Sequence, residues 1–178
     1  MKCTGIILAA GQGKRMNSKI QKQFLQLREY PVLYYSLKAF QECPWMDEII
    51  LVTGQEEIEY CQEEFVNKYN FDKVKKIIAG GKERYNSVQN GLLACEKTDY
   101  VFIHDGARPF VTQEILERGL VCVKQWDACV AGMPSKDTVK IVNKEGVVCS
   151  TPDRNRVWNI QTPQVFSYAL VAKAYAQA

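Results

Sequence analysis

Alternation of short apolar runs with amphipathic stretches constrains this chain more than any other feature. A β-type run at Thr4–Leu8 is followed by four more, at Glu48–Thr53, Lys76–Ala79, Tyr100–His104 and Ala128–Met133. These four are apolar nearly throughout, as expected of strands covered on both faces. Between them the spacing turns helical. Pro31 opens one helix, with Val32, Leu33, Leu37 and Phe40 on its inner side. Others are expected over about Glu56–Lys68, Glu83–Cys95 and Thr112–Gln125, with a last helix-like run at Ser167–Ala178. This βαβα order predicts a mostly parallel twisted sheet with helices on both faces and ligands at the carboxyl ends of the strands.

One segment breaks the order. Thr138–Val142 and Val147–Cys149 flank the polar turn Asn143–Gly146, which reads as a β-hairpin within about 136–156. Either it projects as an arm that packs on another subunit, or it forms an edge pair on the same sheet.

Composition narrows the function. The 178 residues fit one domain, residues 1–178, with a sizeable core, and 47% hydrophobic with 24% charged residues is ordinary for a globular protein. A net charge of +3 is too slight and scattered for a nucleic-acid partner. No apolar stretch is long enough to span a bilayer, and Ile6–Ala10 is too short for a secretory signal. Seven Cys without a C-x-x-C spacing make neither a disulfide framework nor a zinc ribbon. They read as small core residues in a reducing compartment, the cytoplasm.

Four motifs carry chemistry, three of them directly after strands. Leu8-Ala-Ala-Gly-Gln-Gly-Lys-Arg-Met16 has the grammar of a phosphate-binding turn: small residues let backbone N–H groups approach an anion, and cations follow. It is neither a Walker loop, since Arg15 follows Lys14, nor a dinucleotide fingerprint, since Met16 stands where the third Gly belongs. Gly80-Gly81 through Arg84 to Ser87 offers further backbone donors, and Arg84 and Ser87 could hydrogen-bond a base or ribose; a plain tight β–α turn would look the same. In His104-Asp-Gly-Ala-Arg-Pro109, Asp105 sits where a carboxylate needs a cation. Either it meets Mg²⁺ with phosphate oxygens, leaving Arg108 to clamp a phosphate, or it pairs with Arg108 to hold the turn. His104, the single His, reads as a hydrogen-bonded structural residue. The fourth motif, Pro152–Gln164, carries Arg154 and Arg156 for anions, while Trp158 is expected to pack. Groups suited to phosphates outnumber any nucleophile–base pair, which points to phosphoryl or nucleotidyl transfer.

With these motifs in place, together with Lys22-Gln-Phe24 and Lys136-Asp-Thr-Val-Lys140, the chain resembles the 2-C-methyl-D-erythritol 4-phosphate (MEP) cytidylyltransferases of non-mevalonate isoprenoid synthesis. The resemblance implies a Rossmann-like nucleotidyltransferase, working as a homodimer whose hairpin arms are exchanged. It implies that Arg15 and Lys22 stabilise charge on the α-phosphate and that Ala9, Ala10, Gly11, Gly81 and Ser87 hold CTP. Asp105 would meet Mg²⁺ and substrate. Arg108, Thr138, Arg154 and Thr162 would hold MEP, some of them across the dimer. The chain departs from the family at Gln21, where Pro is usual, so a less rigid turn is expected. The family's further strand–helix unit, with its Thr-Asp-Asp/Glu segment and late Lys, is not found in this sequence, so the C-terminal part of the family domain is expected to be absent. Two alternatives stand beside this reading: a cytidylyltransferase for another polyol phosphate such as ribitol 5-phosphate, and a CTP-binding module without turnover. Ala10 and the Asp153-Arg154 pair favour the MEP type.

Overall fold

The computed structural model describes residues 1–11 and 20–177. In chain order, β1 (Cys3–Leu8), the two-residue strands β2 (Gln26–Leu27) and β3 (Tyr30–Pro31), and α1 (Val32–Gln41) lead to β4 (Glu48–Thr53). A short α2 (Ile58–Cys61), β5 (Val74–Ala79), α3 (Arg84–Ala94), β6 (Tyr100–Asp105) and α4 (Gln113–Trp126) follow. The last part holds β7 (Ala128–Pro134), β8 (Ile141–Val142), β9 (Val148–Ser150), β10 (Trp158–Ser167) and α5 (Tyr168–Ala176).

Six strands form the main sheet in the order β5-β4-β1-β6-β10-β7. The first four are mutually parallel, while β10 runs antiparallel to both β6 and β7. Alternation along the central strands splits the core in two. Ile7, Ile49, Leu51 and Phe102 face the side covered by α1 and α4, meeting Leu33, Leu37, Phe40, Leu116 and Leu120. Ile6, Ile50, Val52, Val101 and Ile103 face the other side, where α3 and α5 supply Val88, Leu92 and Val171. Each such fully buried side chain is worth about 1.5–3 kcal/mol relative to exposure. Phe40 is pressed against the sheet so closely that a Cβ on Gly5 would lie 2.6 Å from its ring.

The structure corrects several expectations. The stretch Glu56–Lys68 is not one α-helix: a 3₁₀ turn at Gln55–Glu57 passes through α2 into a π-helical turn at Gln62–Asn67. Ala128–Met133 is a strand but is not covered on both faces, because β7 is the sheet's edge. β10 was not anticipated at all. Its polar residues and Pro163 argue against a central strand, and the structure accommodates them with a register irregularity between Ile160 and Gln164. The hairpin forms its own two-stranded sheet of β8 and β9, so it is not an edge pair of the main sheet. Asn143 Oδ1 closes its turn by accepting from the N–H groups of Glu145 and Val147, with Gly146 at φ +82°. Of the seven Cys, Cys3, Cys43 and Cys61 are buried in the core, but Cys149 is exposed on the arm.

Candidate active site

The loops at the carboxyl ends of β1, β5 and β6 are tied together through the sheet. Ala9 N–H donates to Val52 O at 2.6 Å, Gly80 N–H to Thr53 O at 2.7 Å and Gly106 N–H to Leu8 O at 2.8 Å. Two of the turns also touch directly: a Cβ on Gly80 would lie 2.4 Å from Ala10 Cβ, so no larger residue fits there. The Ser87 hydroxyl, buried on α3, accepts from Gly81 N–H at 3.0 Å. The helix itself starts in a capping box between Glu83 and Asn86.

Two cavities open at this end of the sheet. One, of about 810 Å³, is lined by Ala9, Ala10, Gly11, Gly81, Arg84 and Ser87 among others. The second, of about 910 Å³, lies beside β7 and is lined by Arg108, Phe110, Arg118, Met133, Gln161 and Thr162 among others. Lys22, Asp105 and Ala107 line both. Lys22 is exposed and makes no ion pair with any described residue.

Asp105 is held by two guanidiniums, one from each side. Arg84 Nε donates to its Oδ1 at 3.0 Å and Arg108 Nε to its Oδ2 at 3.0 Å. Each Arg reaches on to a glutamine of β10, Arg84 to Gln164 at 3.1 Å and Arg108 to Gln161. The turn-holding pair between Asp105 and Arg108 is therefore formed. Asp105 and Glu83 are the carboxylates lining the first cavity, and no three His, Cys, Asp or Glu side chains converge among the described residues. This donor set fits Mg²⁺, which takes one or two carboxylates and completes its shell with phosphate oxygens and water.

Behind Asp105 lies a buried relay. The Thr162 hydroxyl accepts from Asp105 N–H at 3.1 Å and contacts His104 Nδ1 at 3.0 Å, while His104 Nε2 lies 3.1 Å from Arg108 O. A carbonyl can only accept, so Nε2 carries the proton and Nδ1 accepts from Thr162. Burial pushes the His104 pKa down to about 4, consistent with this neutral ring. His104 is thus buried and hydrogen-bonded at both ring nitrogens, and it also lines the second cavity. Ser36 completes the support, its hydroxyl 3.1 Å from Gly106 O and 3.2 Å from Arg108 O.

The family model of IspD, 2-C-methyl-D-erythritol 4-phosphate cytidylyltransferase, matches residues 3–178. The chain belongs to this family. It is 50% identical over 174 residues to the 2-C-methyl-D-erythritol 4-phosphate cytidylyltransferase of Lachnoclostridium phytofermentans, covering 98% of this chain and 74% of that protein. The corresponding protein of Lachnospira eligens is 51% identical, with 98% and 76% covered. Among solved structures, 4-diphosphocytidyl-2C-methyl-D-erythritol synthase from Anaerococcus prevotii superposes with a TM-score of 0.86 at 30% identity, covering 99% of this chain and 74% of that one.

Of the residues singled out from the family motifs, the structure brings Ala9, Ala10, Gly11, Lys22, Gly81, Ser87 and Asp105 around the first cavity. It brings Arg108 and Thr162 to the second. Thr138 and Arg154 line neither; both are exposed on the arm segment, where Asp153 caps the turn Arg154–Arg156. Arg15 lies outside the described residues. Trp158 does not pack as expected but is 55% exposed, because its end of β10 pairs only with the edge strand β7. Gln21 stands where Pro is usual in the family. Its backbone sits at φ −64° and ψ 142°, angles proline itself adopts, and its side chain bonds Glu57 and Gln23. Sequence reasoning assigned no role to Gln23, Gln161 or Gln164, whose only signal was their place inside motifs noted for other residues.

Proposed function

We propose that this chain transfers the cytidylyl group of CTP to 2-C-methyl-D-erythritol 4-phosphate and releases pyrophosphate. One observation carries the reading: two adjoining cavities share Lys22 and Asp105 as a common wall. CTP would occupy the cavity beneath the Ala9–Gly11 turn, with backbone N–H groups of that turn and of Gly81 toward its phosphates. MEP would occupy the cavity lined by Arg108 and Thr162. An oxygen of the MEP phosphate attacks the α-phosphorus, the bond to the β-phosphate oxygen breaks in line, and pyrophosphate leaves with that electron pair. Lys22, at the shared wall, neutralises the charge that grows on the α-phosphate oxygens; Arg15 is assigned the same task by its motif. Asp105 would hold Mg²⁺, which supplies charge neutralisation to the triphosphate, with Arg84 and Arg108 yielding a carboxylate oxygen to it. Positioning and electrostatics account for such a reaction without a covalent enzyme intermediate.

The names of the relatives favour MEP over ribitol 5-phosphate as acceptor. A binding module without turnover would leave Lys22 at the junction of two cavities without a purpose. Two copies are part of the proposal. Thr138 and Arg154 lie away from the cavities of their own chain, and Ile141, Val142, Val147 and Val148 leave the arm apolar and exposed. A second copy would cover the arm and receive those two side chains. The Cys residues, all free thiols, support a reducing cytoplasmic setting. Pyrophosphate release is measured with CTP plus MEP, CTP plus ribitol 5-phosphate, and CTP alone. Release with MEP alone among the three supports the assignment; equal release with ribitol 5-phosphate, or none with either, overturns it.

A further inference from the structure

We infer that Gln23 is a positioning residue that locks Lys22 to the Ala9–Gly11 turn. The inference rests on the proposed transfer reaction for its kinetic consequence but on geometry for its substance. Gln23 is 3% exposed, and its Nε2 is met by three acceptors from both sides of the site. It donates to Ala9 O at 2.5 Å and to Gln21 Oε1 at 2.6 Å, with Gly11 O at 3.3 Å. Backbone carbonyls only accept, so the NH₂ group must face them whichever way the amide is drawn. Gln21 in turn donates to Glu57, which anchors the far side of the turn.

The consequence follows from where these groups sit in the chain. Lys22 and Gln23 are consecutive in the 3₁₀ turn Lys22–Phe24, so a side chain fixed at 23 fixes the backbone that carries the ammonium at 22. Ala9 O is one edge of the peptide whose other edge is Ala10 N–H, because the peptide is planar and trans. A single buried amide therefore sets both the plane of a phosphate-facing peptide and the root of the lysine opposite it. Neither Met nor Glu in its ionised form can replace it, since both leave the two carbonyls without a donor.

The test compares Gln23→Met and Gln23→Glu with the parent protein. Amide exchange is followed by NMR at Ala9, Phe24 and Leu25, each of which donates a backbone hydrogen bond in this region. We expect Gln23→Met to exchange roughly tenfold faster there while β4 is unchanged, and kcat to fall about 10- to 100-fold with the MEP KM within about twofold, because a small misplacement acts on the transition state. Gln23→Glu regains a donor when protonated, so its kcat relative to the parent rises as pH is lowered from 8 to 6. Parent-like exchange, or a parent-like kcat with fast exchange, overturns the inference. If the parent itself does not turn over CTP and MEP, the proposed function fails instead, and the exchange rates alone decide whether the clamp exists. Should Gln23→Met not fold, the pH dependence of Gln23→Glu decides.

Discussion

The two halves of the sheet finish their cores differently. In the parallel half, Ile6, Ile7, Ile49, Leu51, Phe102 and Ile103 are at most 2% exposed, sealed by helices on both faces. In the antiparallel half and its arm, Met133, Ile141, Val147 and Trp158 are each more than half exposed. The first half satisfies itself: its loops are pinned by backbone hydrogen bonds from neighbouring strands, and it holds the cavity assigned to CTP. The second presents apolar surface that a lone chain leaves to water, which a second copy would cover in the proposed dimer. The candidate MEP residues are split as well, with Arg108, after β6, and Thr162, on β10, at the home cavity and Thr138 and Arg154 on the arm. Under the proposed function, nucleotide binding would be complete in one chain while acceptor binding would need the second copy.

The sharpest attack on this division is at the shared wall. Lys22→Ala should lower kcat by about 10²–10³-fold, the scale of one lost transition-state donor. As Lys22 is exposed and unpaired among the described residues, stability should stay within about 0.5 kcal/mol. Steady-state pyrophosphate release and thermal melting check both, and a parent-like kcat would remove Lys22 from the chemistry. Next in size is the arm. Deleting Ile141 through Val148 should give a monomer by light scattering that binds CTP as before. Its kcat/KM for MEP should drop roughly 10- to 100-fold, as expected for losing one or two charge-assisted contacts. Equal losses of CTP and MEP binding would erase the contrast between the halves.

How much of this was readable beforehand follows the same boundary. The four strands from Thr4 to His104 were legible because double-sided burial writes continuous apolar runs, and the loops after them because phosphate turns need small residues. Ala128–Met133 was legible by its apolar run although the edge strand β7 is not covered on both faces. β10 was not legible. It crosses from the buried sheet to an exposed edge, so its ten residues mix Gln161 and Gln164, which reach the arginines, with Val165 in the core. The path from Glu56 to Lys68 misled for another reason: helical periodicity does not distinguish an α-turn from the π-turn that places Phe65 under Phe24. The role of Gln23 had no sequence signature, since a buried amide clamp depends on which carbonyls the fold brings to it.

A smaller effect tests the seam between the halves, where His104 of β6 holds Thr162 of β10. The His104 pKa is lowered to about 4 in the folded chain, against about 6.5 for an unperturbed His. The unfolded chain therefore binds the proton more readily between these values, so stability rises with pH across that window. It is complete above about pH 6.5 and is lost progressively as pH falls toward 4. At pH 5 the loss should be about 2 kcal/mol. Denaturant melts at pH 7 and pH 5 measure it. His104→Gln, removing the only His, should flatten that difference; an unchanged pH dependence would show that the seam does not carry it.

The smallest expected effect separates the two roles open to Asp105. If its main work is to hold Arg84 and Arg108, Asp105→Asn removes exposed pairs that are worth about 0–1 kcal/mol each, and Mg²⁺ dependence stays as it was. If it serves Mg²⁺ with the triphosphate, the neutral amide loses an anionic ligand. The Mg²⁺ concentration for half-maximal rate should then rise roughly tenfold, the equivalent of about 1.4 kcal/mol. Both ion pairs are half open to water, with the Arg84 and Arg108 side chains 47% and 43% exposed, so melting should shift only slightly in either case. The metal titration is therefore the deciding measurement. A raised Mg²⁺ requirement places Asp105 with the nucleotide half, and an unmoved titration at the same slight melting shift makes it a strut between the two halves.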